Sequence, residues 1–453
     1  QVMNLQDKIR QSLGLGSSDE RRGGGARVLA SDRRLRDEAL ARPLPQERAG
    51  GHEASAPDQK LIAQLRQQVK RLEQRSVTLR PEPMLTGDVL PVPPEDVELI
   101  TRETYPLGHA FSPGAMLQRP DPAALGALLQ LLRVQDTAAP VAPEDLLFFD
   151  LETTGLSRDT GNLPFLTGLG FFDEHGFTVE QLFLADPSRE PEALERLAVH
   201  LDRPRLLVSF NGRSFDLPIL RNRAVIHRLA STLNLDSHAH LDLLPPCRRL
   251  FRTRMTNCRL KTLERELLGY SRVGDPEGSE VCVIYQEYLH TGLWGRMPDV
   301  LSHNLLDIAL MAPLLVRLTG HALSPLHWGE DSRELLGSGA LQLEQGDPAL
   351  GESCLRRGLE LGGDATCRKF TLQALANHLR RDGRDDEAAA TWEQYRQEFP
   401  GENTAYEALA KYHEHKAKDL RAALALTQAA PLRNDDVQHR LRRLHRRVAR
   451  ALG

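Results

Sequence analysis

The run LLFFDLE at 146–152 constrains this chain more than any other segment. Five of its seven residues are apolar and two of those are Phe, which reads as a short strand buried on both faces. Asp150 and Glu152 stand two apart within it, and the period of two in a strand turns both carboxylates to one face. Like charges side by side in an apolar layer repel each other and are poorly hydrated. Either hard divalent cations with oxygen ligands neutralise them, or the strand ends there and both acids meet water at its C-terminal edge. The segment alone supports both readings.

The neighbouring patterns place this strand in a sheet. FLTGLGFFD and FTVEQLFLA follow, joined through Asp173-Glu174-His175-Gly176 as a hairpin turn. Next come a helix over 190–201, a strand at 206–210, a helix over 216–229 and a strand at 240–244. Helical patterns fill the remainder to 319. Three strands in a meander, then helix–strand–helix–strand–helix, make an α/β chain with a mixed sheet. That is the order of the ribonuclease H fold, expected over 144–322.

The flanks differ. Residues 1–90 read as a largely disordered arm, with Gly-Gly-Gly at 23–25, mixed charge and few aromatics. One amphipathic helix is expected near 61–75, where Leu61, Leu65, Val69 and Leu72 share a face. Residues 91–143 are rich in proline and read as a lead-in with a single helical run over 122–133. Strand patterns vanish beyond 330. GRDDEAAATWEQYRQEFP (383–400) recurs loosely as KDLRAALALTQAAPLRN (418–434), with Ala388 and Ala422 in equivalent places 34 residues apart. That period, with Gly383 and Pro400, predicts tetratricopeptide-like helical repeats over 330–453.

Composition narrows the class. A net charge of −4 over 453 residues excludes a uniformly basic nucleic-acid coat, so any such site must be local. The five cysteines form no CxxC pair and no zinc-spaced cluster, and an odd, scattered set suggests reduced thiols in a cytoplasmic protein. The longest apolar stretches, such as 305–318, look too short and interrupted for a membrane span. Only 8 of the 58 basic residues are Lys, which GC-rich coding explains more readily than phosphate binding does.

Three further polar residues join the first pair of acids. SFNGRSFDLPIL sets Asp216 at a helix start after the Asn211-Gly212 turn, where an acid caps as readily as it ligates. SHNLLDIALMAPLL sets His303 and Asp307 four apart on one helix face, the spacing of an ordinary surface ion pair as well. Their joint order is more telling than any one of them. FDLETTGL, NGRSFDLPIL and HNLLDIALM resemble the three motifs of the DEDD 3′→5′ exonucleases, with Asp150, Glu152, Asp216 and Asp307 as the four acids. Within that superfamily the chain resembles the YprB-like ribonuclease-H-like proteins, and DPEGSEVCVIYQEYL (275–289) fits the same subgroup.

The resemblance implies a two-metal phosphodiester hydrolase using two Mg²⁺ or Mn²⁺ ions, with Asp150, Glu152, Asp216 and Asp307 as ligands. It implies that Asp150 bridges the ions, that Glu152 and Asp307 hold the one generating hydroxide, and that Asp150 and Asp216 hold the other. His303 would orient or deprotonate the water. One departure stands out: the superfamily carries either Tyr four residues, or His five residues, before the last acid. His303 combines the tyrosine spacing with the histidine chemistry, and one residue on a helix is a rotation of about 100°.

Substrate contacts are expected at Asn211, Arg249, Arg252 and Lys261. Helix capping is the commoner role for Asn211. The basic stretch from Arg248 to Arg265 is equally a solvated face or a phosphate track. Asp242 reads as a solvated acid at a strand end. The C-terminal RLRRLHRRVARAL is an amphipathic helix with a basic face, read as a cap on the repeats. The expected activity is 3′→5′ exonucleolytic hydrolysis of single-stranded DNA or RNA, with nucleic acid as partner, a protein partner on the repeats and no membrane. The competing expectation is a catalytically silent scaffold that docks nucleic acid while its repeats bind a protein.

Overall fold

Alternation along the apolar run decides how the sheet is covered. From the strand Leu146–Thr153, Leu146 and Phe148 enter one buried cluster, while Leu147, Phe149 and Leu151 enter another. The computed structural model describes residues 98–452 apart from 135–139, 156–160 and 203. Six strands form one sheet: β1 (Glu98–Tyr105), β2 (Leu146–Thr153), β3 (Pro164–Asp173), β4 (Gly176–Phe183), β5 (Leu206–Ser209) and β6 (Ala239–Asp242). Their order is β1-β4-β3-β2-β5-β6. β1 through β2 pair antiparallel, whereas β2/β5 and β5/β6 are parallel. The expected meander and mixed ribonuclease H-like sheet are present, and β2 is central.

Helices cover both faces. α1 (Pro122–Leu131), α2 (Glu190–Leu201), α3 (Asp216–Ile226), α4 (Leu244–Phe251), α5 (Gly278–Thr291) and α6 (Met297–Leu323) follow the chain. α1 and α6 pack on the side of Leu146 and Phe148, and α2 and α3 on the side of Phe149 and Leu151. α6 is the one helix among the described residues long and apolar enough, by length and composition, to cross a membrane. The stretch judged too short and interrupted from sequence therefore meets that criterion. Here most of it is buried as the central core helix of the sheet domain.

β1 departs from expectation. Residues read as lead-in supply the sheet's edge strand, paired along β4 from Glu98–Phe183 to Tyr105–Phe177. ELITRETY lacks apolar alternation because an edge strand is held largely by backbone pairing. Thr101 and Thr104 add side-chain hydrogen bonds to Gln181 and Thr178 on β4. The arm at 1–90 and its helix near 61–75 lie outside the described residues.

The C-terminal region is all-helical. α7 (Ser332–Gln345), α8 (Pro348–Leu361), α9 (Ala365–Arg381), α10 (Asp385–Glu398), α11 (Asn403–His415), α12 (Leu420–Ala429) and α13 (Asp435–Leu452) each pack on the next. Asp331, Asp347, Asp364 and Asp419 accept backbone N–H bonds at four of the helix starts, as short acidic side chains do at N-caps. Ala388 is buried as its spacing suggested, but the buried alanine in α12 is Ala423. Ala422 instead donates its backbone N–H to Asp419 Oδ1 at 2.9 Å.

Candidate functional site

The period of two in β2 aims the acids. Leu146 and Phe148 face α6, so Asp150 and Glu152 continue along that same face toward His303, Asn304 and Asp307. The β2/β3 register shifts between Glu152 and Thr153, a bulge of the kind that re-aims side chains at sheet ends. β2 is flanked on both sides, so neither acid stands at a solvated sheet edge, and Glu152 is buried.

Three donors converge. His303 Nε2 lies 3.6 Å from Glu152 Oε1 and 3.6 Å from Asp307 Oδ2. One ligand atom from each of Glu152, His303 and Asp307 fits within a 4.8 Å circle of mutual distances. Asp216 is the first residue of α3 and is buried; the N-cap position is Phe215, and no side chain caps it. The capping alternative for Asp216 is therefore not what the fold uses. Gly212 leaves room for it, since a Cβ there would stand 2.9 Å from Asp216 Oδ2.

Burial and mutual repulsion dominate the electrostatics. Burial, then Asp307 and Asp216, hold the Asp150 carboxyl well above the usual carboxylate range, against His303 and Asn304. Burial, then Asp150 and Asp307, do the same to Glu152. Asp216 is pushed up to about 8 by burial and by Asp242. Burial opposes charge on His303, but Asp307 and Asp275 outweigh it and its pKa is raised. A nest of acids that resist ionising together, closed by an imidazole, is the donor chemistry that a divalent cation satisfies. The residues present fit such an ion.

Several supporting residues gave no sequence signal of their own. Asn304 is fully buried, and its Nδ2 donates to Asp150 Oδ2 at 3.0 Å. Its Oδ1 accepts from Gln181 Nε2 at 2.9 Å, and Thr101 Oγ1 donates to Gln181 Oε1 at 2.7 Å. A relay thus runs from the edge strand to the central acid. Asp275 pairs with His303 Nδ1 at 2.8 Å. Burial would raise Asp275, but His303, Lys261 and Arg272 bring it down to about 2. The side chain of Arg272, only 3% exposed, pairs with Glu264, Asp275 and Asp307. The only legible hint was adjacency: Asn304 follows His303, and Asp275 opens the segment 275–289.

The expected substrate contacts are placed differently. Lys261 Nζ points inward, 2.6 Å from Asp275 Oδ2 and 2.9 Å from the Pro276 carbonyl. Arg249 joins α4 to α7, donating to Gln345 Oε1 at 2.9 Å and pairing with Glu344. Arg252 is the exposed C-cap of α4. Asn211 does not cap α3: it is exposed, turns the chain at φ 71°, and donates its N–H to Asp242 Oδ1 at 2.8 Å. Asp242 is likewise not a solvated edge acid. It is buried and also accepts from the N–H groups of Leu244 and Arg213.

This sheet, with its acid cluster at the end of the central strand, defines an RNase H-like domain, and residues 147–319 match the model of the RNase H superfamily. At chain level, the protein is similar to the uncharacterised protein YprB of Bacillus subtilis (strain 168). The two are 29% identical over 318 residues, which is 68% of this chain and 74% of YprB. A solved family B DNA polymerase from the hyperthermophilic archaeon Pyrobaculum calidifontis aligns over 52% of this chain at 16% identity, with a TM-score of 0.28. The aligned part is only 29% of the polymerase chain, and the likeness carries no further argument.

Proposed function

We propose that the RNase H-like domain is a metal-dependent nuclease of the DEDD type that removes nucleotides from the 3′ ends of single-stranded nucleic acid. The observation that carries this reading is that Asp150, Glu152, Asp216 and Asp307, from three separated segments, lie close enough to repel one another, with Glu152 and Asp216 buried and with Glu152 and Asp307 converging beside His303. Those four acids would hold two divalent ions, Mg²⁺ or Mn²⁺. When bound, such ions lower the pKa of an attacking water and neutralise a leaving 3′ oxygen. The chain's part is positional: Asn304 fixes the Asp150 carboxylate and Arg272 fixes that of Asp307. The product would be a nucleoside 5′-monophosphate. The helical region is proposed as tetratricopeptide-like repeats that dock a protein partner, in a protein that works in the cytoplasm.

The test is degradation of 5′-labelled single-stranded DNA and RNA with Mn²⁺, wild type beside Asp150→Asn. A ladder shortening from the 3′ end, absent in a folded variant, is expected and would choose the substrate. Undiminished cleavage by the variant overturns the assignment. One observation favours the silent-scaffold alternative: the Arg272 guanidinium already neutralises Asp307. Calorimetric titration with Mn²⁺ separates the two, since a silent centre takes up no ion.

A further inference from the structure

We propose that His303 is itself a metal ligand through Nε2, completing a Glu152–His303–Asp307 centre selective for first-row transition ions over Mg²⁺, with Asp275 as its positioning residue. The proposal rests on the reading of the acids as a cation site and replaces the general-base role that the family resemblance implies for His303.

His303 Nδ1 lies 2.8 Å from Asp275 Oδ1, so in the neutral ring Nδ1–H donates there and the lone pair sits on Nε2. Asp275 is in turn held by Lys261 Nζ at 2.6 Å and Arg272 Nη1 at 3.5 Å. Arg272 Nη1 also donates to the His303 carbonyl at 3.3 Å. The ring is therefore held from behind, in the carboxylate–histidine arrangement that orients metal-binding imidazoles and fixes their tautomer. Lys261, expected among the substrate contacts, spends its ammonium on this carboxylate.

The front of the ring is aimed at a point rather than at a partner. Nε2 is equidistant, at 3.6 Å, from Glu152 Oε1 and Asp307 Oδ2. Both separations exceed hydrogen-bond length. They lie close to the ~3.0–3.5 Å that separates neighbouring ligand atoms around one ion with ~2.1 Å bonds. The spacing of four residues on α6 stacks His303 over Asp307 on one face, so ring and carboxylate reach the same point. Arg272 occupies Oδ1 of Asp307 and leaves Oδ2 turned toward the ring. A nitrogen donor among carboxylates shifts preference from Mg²⁺, which takes oxygen, toward Mn²⁺, Fe²⁺, Co²⁺ or Zn²⁺.

The probe is Mn²⁺ alone, added at one equivalent to the full chain and read by pulsed electron paramagnetic resonance. Nitrogen modulation from a directly bound imidazole is expected, and it should change character when the histidines are ¹⁵N-labelled. His303→Gln should abolish the modulation and weaken Mn²⁺ binding at least ~10-fold while affecting Mg²⁺ less, and Asp275→Asn should weaken Mn²⁺ binding ~10–100-fold. Bound Mn²⁺ without nitrogen modulation in the wild type overturns the proposal, whether or not either variant folds, as does failure to bind Mn²⁺ at all. Nitrogen modulation without any nucleic-acid cleavage would leave this centre standing and overturn the nuclease. Cleavage without the modulation would do the reverse.

Discussion

Gly168 has no side chain because Asn304 needs its place. It lies opposite Asp150 in the β2/β3 register, and a Cβ there would stand 2.3 Å from Asn304 Oδ1. Gly168→Ala must therefore push the amide off the Asp150 carboxylate. Hydrolysis with Mn²⁺ is expected to slow ~10–100-fold, as on loss of other groups that orient ligands, with about 1–3 kcal/mol of stability lost to overpacking. Initial rates and thermal unfolding measure the two effects separately; an unchanged rate would show that the relay does not support Asp150. At this scale Asp150 and Glu152 were legible, because a period of two is a local property. Asn304 was not, since its partners lie 123 and 154 residues away in sequence.

Among elements, α6 does the most. Its buried length closes one face of the sheet while its first turns carry His303, Asn304 and Asp307 to the end of β2. In the helical region, Glu352 ties three segments together: it pairs with Arg356 on its own helix, with His378 on α9 and with Arg384 just before α10. Burial would raise its pKa, but Arg384 and Arg356 bring it down to about 2. A depressed acid contributes stability above its unfolded pKa and loses it as pH falls toward the folded value. Glu352→Gln should accordingly lower the Tm at pH 7, with the gap to wild type closing between about pH 4.5 and pH 2. A gap constant across that range would mean that packing, not charge, accounts for the loss. The helical character of this region was legible from the loss of strand patterns and the loose 34-residue recurrence, whereas its acidic caps were not read; the Ala388 pairing slipped by one residue because loose repeats constrain register weakly.

For the whole molecule, the sheet domain and the helical region meet through a buried charge. Glu334 on α7 is fully buried and pairs with Arg254, beyond α4, and with Arg317 on α6. Gly337, one turn further along α7, lets that helix approach α4: a Cβ there would stand 2.2 Å from the Leu250 carbonyl oxygen. Glu334→Ala would remove the buried carboxylate that both arginines share, leaving Arg254 with Asp331 at 3.7 Å and Arg317 with Glu330 at 3.1 Å, a loss expected to cost about 1–3 kcal/mol. Thermal unfolding should show a lower Tm, and proteolysis should find new cleavage between 323 and 332. A Tm within a degree of wild type would mean that apolar contacts alone hold this junction. Arg249, expected on a phosphate track, belongs to the same junction through Glu344 and Gln345.

Features that depend on neighbours a few residues apart could be read from the amino-acid order alone. Alternation in LLFFDLE, the hairpin at Asp173–Gly176, Asp216 at a helix start and the shared face of His303 and Asp307 are all local consequences of backbone geometry. Tertiary structure alone decided where charges go. A lysine or arginine in a basic stretch looks the same from sequence whether it meets water, phosphate or a buried carboxylate. Packing turned Lys261 onto Asp275 and Arg272 onto Asp307, because an ion pair needs its partner within about 4 Å, and only the folded chain sets that distance. It also recruited the polar strand β1, which periodicity cannot reveal because an edge strand is held by its backbone.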